Sequence, residues 1–217
     1  MLNEQLIAGV KIKGLRPSQQ RRTRELIVRL MNEGLALLKE HDFESLSIEA
    51  LCQRCETTVG SFYARFENKE AFVDALQRLV VEKAKQELVM TYASDRAPHD
   101  TLAHLLNWIC KGGVSWIREH EGLVRASLKR ASSDRRSWTP MRELGRFHVA
   151  LCLPRIVRLV GRKTDADLEG RVRLAFQMMY GTLNTMVLIN PGPLSLHQQM
   201  TPRMLAAAMA RLIGDGR

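Results

Sequence analysis

The chain has 217 residues, is 45% hydrophobic and carries a net charge of +10. That length and apolar content allow one medium domain, or a small domain joined to a larger one, with a genuine core. No apolar run approaches the roughly 18–20 residues of a membrane span, and MLNEQLIAGVKIKG is too polar and mixed for a secretory signal, so a cytoplasmic location is expected. Leu, Ala, Met, Arg and Glu dominate, and strict alternation never lasts, which points to an all-α fold.

Residues 1–17 lack a clear period and end in Arg16-Pro17, and read as a flexible basic arm. Met1–Arg24 holds six basic residues against the single acid Glu4. Such an arm can lie along phosphates or enter a minor groove. Ser18 can cap a helix running to about Glu40, with Leu26, Ile27, Leu30, Met31, Gly34, Leu35 and Leu38 on its buried face. His41–Glu44 breaks that helix, and Phe43 is expected to fold back into the core.

Ser47–Phe72, SIEALCQRCETTVGSFYARFENKEAF, then reads as two short helices and the start of a third. Ser47 is a good N-cap, and Ile48, Leu51 and Cys52 share one helical face. Cys55-Glu56-Thr57 fits a tight turn. Thr58 can cap a second helix carrying Val59, Phe62 and Phe66 inward, and Asn68 caps the next. Short helix, turn, short helix is the plan in which the second helix enters the major groove of DNA. Its outer side keeps Thr57, Thr58, Gly60, Ser61, Tyr63 and Ala64. Hydroxyls there can meet phosphates or base edges, glycine lets the backbone approach, and Tyr63 and Lys69 can reach a phosphate. Ser47 joins Thr57, Thr58, Gly60, Ser61, Tyr63 and Lys69 as the expected DNA-binding set.

The stretch TTVGSFYARFENKEAF resembles the recognition helix and following helix start of TetR-type transcriptional regulators, which read V-S-x-G-[ST]-[LF]-Y-x-x-F-x-x-K-E at this point. Thr23–Cys55 is similar to their first two helices, so the resemblance covers about Arg22–Leu76. It implies DNA contacts from Thr58, Ser61, Tyr63 and Lys69. One departure is Glu56, where the family usually has glycine: a side chain there must tolerate left-handed geometry or shift the turn.

Beyond the motif, Lys69–Thr91 reads as one helix, and Ser94–Pro98 as a boundary. Asp100–His120 is a helix on which Trp108, Gly112 and Trp116 lie four apart. Glu121–Arg130 is a short helix and Ser132–Arg136 a polar loop. Thr139-Pro140 opens a helix to about Arg162, kinked at Pro154. Thr164-Asp165 caps a helix from Ala166 to about Asn190 whose second half, FQMMYGTLNTMVLI, is apolar nearly all round. One face can pack on its own subunit; the other calls for a second copy of the chain. Thr201-Pro202 opens a final helix to about Ile213. Ala93–Arg217 carries nineteen basic and ten acidic residues, read as solvated surface, with an anionic ligand or further DNA contact as the alternatives.

Nothing points to catalysis, a cofactor or a metal: phosphate-binding, dinucleotide, zinc-protease and nucleophile-elbow motifs are missing. Cys52 and Cys55 form a C-x-x-C without a second ligand pair, so all four cysteines read as structural, with redox sensing by that pair as the lesser alternative. The organisation expected is an arm over residues 1–17, a helix-turn-helix domain over 18–70, and an effector-binding and dimerisation domain over 71–217. The resemblance implies a homodimeric repressor released from a palindromic DNA operator by a small effector. The alternative is an architectural or constitutive DNA binder without an effector. Trp108, Trp116, Phe147, His148, Met179 and Met186 are the candidate pocket residues, and Arg118, Arg125 and Arg155 would suit an apolar effector bearing an acidic group.

Overall fold

The computed structural model describes residues 1–10, 21–94, 96–161 and 163–214, without the side chain of Arg21. The described residues form ten α-helices and one 3-10 turn, with no strand. The helices are α1 (Glu4–Gly9), α2 (Arg21–Glu40), α3 (Ile48–Arg54), α4 (Val59–Tyr63), α5 (Lys69–Ala93), α6 (Leu102–Glu119), α7 (Glu121–Ser133), α8 (Thr139–Val160), α9 (Ala166–Leu188) and α10 (Thr201–Gly214); the 3-10 turn is Arg135–Trp138. None is long and apolar enough to cross a membrane. The chain divides into two compact units, Met1–Ala84 with Gly122–Pro140, and Lys85–Glu121 with Met141–Arg217.

Helix starts follow local chemistry. Oxygens of Ser47, Thr58 and Asp165 accept from the N–H groups of Ala50, Ser61 and Leu168, and Asn68 Oδ1 accepts from Ala71 at 2.7 Å. Each such cap contributes about 1 kcal/mol. Thr101 caps α6 through His104 N–H, one residue later than Asp100. Thr201 is itself helical and buried, and its hydroxyl donates to Ser195 O rather than capping α10. Helix α8 continues through Pro154.

In the first unit, residues 1–10 are not a loose arm. Asn3 caps α1, Leu6 and Ile7 are buried, and Leu2 is clamped to α2: its N–H donates to Asn32 Oδ1 at 2.9 Å, and Asn32 Nδ2 donates back to Leu2 O at 3.1 Å. Residues 11–17 and the expected cap Ser18 lie outside the described residues. Six of the seven residues predicted for the inner face of α2 are buried and Leu35 is half-buried. Phe62, Phe66 and Phe72 form the centre, with ring centroids 5.0–5.4 Å apart. Gly34 makes room for Phe72, whose Cζ would lie 2.5 Å from a Cβ added there. Phe43 is only half-buried. Gly122–Pro140 joins this unit through Lys129–Asp42 and Arg130–Asp74 ion pairs at 2.9 and 2.6 Å. Closer still, a Cβ on Gly122 would fall 1.8 Å from Leu38 O, so α7 meets the α2 backbone directly.

In the second unit α10 packs chiefly on α6 and then on α9. Leu105, Leu106, Ile109 and Val114 of α6, Val172, Phe176 and Leu183 of α9, and Ala206, Met209 and Ile213 of α10 are buried. Within one chain α9 is covered on one side only: Met178, Leu188 and the following Ile189 are exposed, as is Leu174 before them.

Gly122→Ala should therefore lower the unfolding free energy by at least about 2 kcal/mol, because backbone must move. Gly112→Ala, where an added Cβ meets nothing within 4 Å, should raise it by up to about 1 kcal/mol. Urea unfolding of both variants checks the contrast.

Candidate nucleic-acid interface

The turn between α3 and α4 closes by two backbone bonds. Glu56 N–H donates to Gln53 O at 3.1 Å and Thr57 N–H to Cys52 O at 3.0 Å. That pattern requires the residue between them to be left-handed, and Glu56 has φ +49°. The turn has not shifted; the glutamate accepts the conformation that glycine would adopt freely. Glu56 is exposed, so its carboxylate need not be buried to do so. Arg54 at the end of α3 donates to Glu40 at the end of α2 at 2.6 Å, which holds the Glu40 carboxyl below its usual range.

On α4 the inward set is as expected, with Phe62 and Phe66 fully buried. Thr58, Gly60, Tyr63 and Ala64 are exposed, and Thr57, Val59 and Ser61 half-buried. Thr58 Oγ1 accepts from Ser61 N–H and donates to Ser61 Oγ, both at 3.1 Å, so the two hydroxyls form one polar edge. Outside Gly60 the space is open: an added Cβ would meet only Thr58 Oγ1, at 3.8 Å. Tyr63 is 48% exposed, its ring edge-on to Phe62. Ser47 is exposed and engaged in capping, donating its hydroxyl hydrogen to Glu49.

Lys69 sits differently from the rest of the set. Its Nζ donates to Phe43 O and Glu44 O at 3.1 and 3.2 Å and lies 4.7 Å above the Phe43 ring. The amine is turned toward the loop before α3. Arg130 stacks on the same ring at 5.4 Å. Position in the first turn of α5 was legible in the sequence; the aromatic ring and two carbonyls, 25 and 26 residues away, were not. Cys52 and Cys55 are buried, and burial raises both thiols, Cys55 to about 11. Raised thiols are poor nucleophiles and favour the structural reading. No group of three His, Cys, Asp or Glu suited to a metal occurs among the described residues.

Residues 30–76 match the profile of the bacterial regulatory proteins of the tetR family, across α2 from Leu30, all of α3 and α4, and the start of α5. Residues 30–76 are thus a tetR-family N-terminal domain. Its fold is similar to that of solved structures at low identity. Salmonella enterica GusR is 12% identical, with a TM-score of 0.63 over 90% of this chain and 99% of that one. A tetR-family transcriptional regulator from Streptomyces coelicolor is 14% identical, with a TM-score of 0.67 over 87% and 80%. A TetR transcriptional regulator from Rhodococcus sp. RHA1 is 16% identical, with a TM-score of 0.55 over 91% and 100%. No curated protein matches the chain. TetR-family regulators are DNA-binding proteins and not enzymes.

In the second unit the candidate pocket residues divide. His148 is buried between two phenols, with Tyr92 Oη 3.0 Å from Nε2 and Tyr180 Oη 2.6 Å from Nδ1. A neutral imidazole has one donor and one acceptor, so one tyrosine gives a hydrogen to the ring and the other receives one. Trp108 and Phe176 complete an aromatic cluster, packing edge-on to Tyr92 and His148 respectively. Trp116 stands apart, stacked on His120 at 4.6 Å. Met179 and Met186 are buried and Phe147 half-buried. Arg155 is committed to Tyr92 O and Ala97 O, and Arg118 to Leu196 O; Arg125 belongs to the first unit. These commitments weaken the case for an acidic effector.

Glu56→Gly should stabilise the chain by about 1 kcal/mol, because the left-handed conformation costs an L-residue roughly that much, and should tighten DNA binding by removing a negative charge. Urea unfolding and fluorescence anisotropy on duplex DNA read the two effects. Burial lowers His148 to about 4 from an ordinary 6.5, so the unfolded chain takes up the proton first as pH falls. Stability is full above about 6.5 and declines toward 4. Urea unfolding should show roughly 2 kcal/mol lost between pH 7 and 5 through this ring, and His148→Gln should remove that share of the slope.

Proposed function

We propose that the chain is a cytoplasmic, dimeric repressor that binds a palindromic operator through α4 and leaves it when a small apolar effector occupies the second unit. The observation that carries this reading is the exposed Thr58–Ser61–Tyr63 edge with open space at Gly60, on a helix seated by buried aromatic rings. Thr57, Thr58, Ser61 and Tyr63 meet phosphates and base edges, and Gly60 lets the backbone approach. Ser47 and Lys69 flank that edge. In the geometry seen, Lys69 serves it by holding the loop before α3.

One helix-turn-helix reads too few base pairs for useful specificity, so two copies are needed. The exposed apolar positions Leu174, Met178, Leu188 and Ile189 supply the surface for pairing. The aromatic cluster around His148 is the favoured effector site, with Trp108 on its edge. An effector that prefers the non-binding arrangement by about 3 kcal/mol weakens operator affinity about 150-fold. Helix α5 runs from residues of the first unit into residues of the second and is the candidate carrier of that change.

Selection of bound duplexes from a random pool tests the reading. An inverted repeat is expected. Tyr63→Phe should weaken binding to it about 5–10-fold, fairly evenly across sequences, as for a lost phosphate contact. Leu174→Glu with Met178→Glu should sediment as a monomer and lose high-affinity binding. A pool without consensus, bound with a steep salt slope, would mean an architectural binder instead.

A further inference from the structure

Two thioethers approach one buried thiol inside the second unit. Cys110 Sγ on α6 lies 3.7 Å from Met179 Sδ of α9 and 3.5 Å from Met209 Sδ of α10. All three side chains are sealed from solvent. A thiol is a weak donor and a thioether a weak acceptor, so hydrogen bonding alone is a poor reason for methionines of two helices to approach one cysteine of a third. We propose that Cys110, Met179 and Met209 form a site for one soft monovalent cation of the Cu(I) class, held by a thiolate and two thioethers.

Ligand softness selects the ion, because thiolate and thioether donors favour Cu(I) over harder cations. The spacing fits as well. With metal–sulfur bonds of roughly 2.3 Å, three sulfurs around one ion stand roughly 4 Å apart. The two separations from Cys110 Sγ need to widen by no more than about 0.5 Å on that bond length. Gly113 leaves slack for this: even an added Cβ would stand 3.8 Å from Met179 Cε and 3.9 Å from its Sδ.

Charge argues in the same direction. A bare thiolate would be an unpaired charge in this apolar interior. A monovalent cation neutralises the thiolate and the pair is uncharged overall. A divalent ion such as Zn(II) would leave a net positive charge in apolar surroundings and would find thioethers poor ligands. Binding exchanges the thiol proton for the metal and releases that proton to solvent. No electron is transferred, and the ion arrives as Cu(I). The proposal does not depend on how the chain reads DNA.

The test uses the full chain carrying Cys52→Ser and Cys55→Ser, which removes the C-x-x-C pair as a competing thiol site. Cu(I) is supplied anaerobically from a bicinchoninate complex. One equivalent should pass to the chain, with a thiolate-to-copper charge-transfer band in the near ultraviolet. Cys110→Ala should abolish the transfer, and Cys152→Ser should leave it unchanged. Met209→Leu and Met179→Leu, which keep side-chain volume, should each weaken it by more than about tenfold at unchanged helix content by circular dichroism. They also keep the test open if Cys110→Ala does not fold. No transfer to the folded chain, or transfer that survives loss of both methionine sulfurs undiminished, would overturn the proposal.

Discussion

The exposed edge of α4 depends on what lies beneath it. A helix of five residues has no stability of its own. It exists because Phe62 and Phe66 are fully buried against Phe72 of α5, and because Thr58 caps α4 itself and Asn68 the helix that follows. Each buried phenylalanine contributes about 1.5–3 kcal/mol and each ring pair about another 1 kcal/mol, far more than helix propensity over one turn. Phe72 in turn needs the bare backbone of Gly34. The hydroxyls that face outward are held by an aromatic anchor facing inward, and their precision is a property of that core.

Much of this was readable from residue type and spacing. Caps at Ser47, Thr58, Asn68 and Asp165 depend on one side chain and its next three residues, so they are local and legible. Helical faces follow the same logic, and the family resemblance over Arg22–Leu76 coincides closely with the matched residues 30–76. Three features were not legible. Residues 1–10 looked aperiodic because α1 is a single short turn stabilised by Asn32, far along the chain. Gly122 gives no sign in sequence that its missing side chain admits the Leu38 carbonyl, or that Gly122–Pro140 belongs with the first unit. Lys69 looked like a phosphate ligand because its local setting fits, while its partners at Phe43 and Glu44 are set by tertiary packing.

The second unit departs from a plain helical core in two places. A string of Tyr92, His148 and Tyr180 runs through it with every ring polar atom partnered. Such a string is tolerated inside because each member is satisfied, and removing one leaves the others short of a partner. Burial pushes both phenols well above their ordinary range, so neither ionises in this setting. The other departure is the sulfur cluster on α6, α9 and α10. Both put directional chemistry where leucine would have sufficed for packing, on the helices that also carry most of the candidate pocket residues.

The methionines also fall into two populations with different chemical fates. Met31, Met179 and Met209 are shielded, while Met90, Met178, Met200 and Met204 face solvent. Peroxide reaches the second group first and turns flexible apolar side chains into polar, chiral sulfoxides. At Met178 that change falls in the middle of the α9 ridge, which is open wherever two copies are not paired across it. Ageing or bleaching of a preparation would therefore damage the outside of α9 well before its inside, with helix content intact and surface stickiness altered.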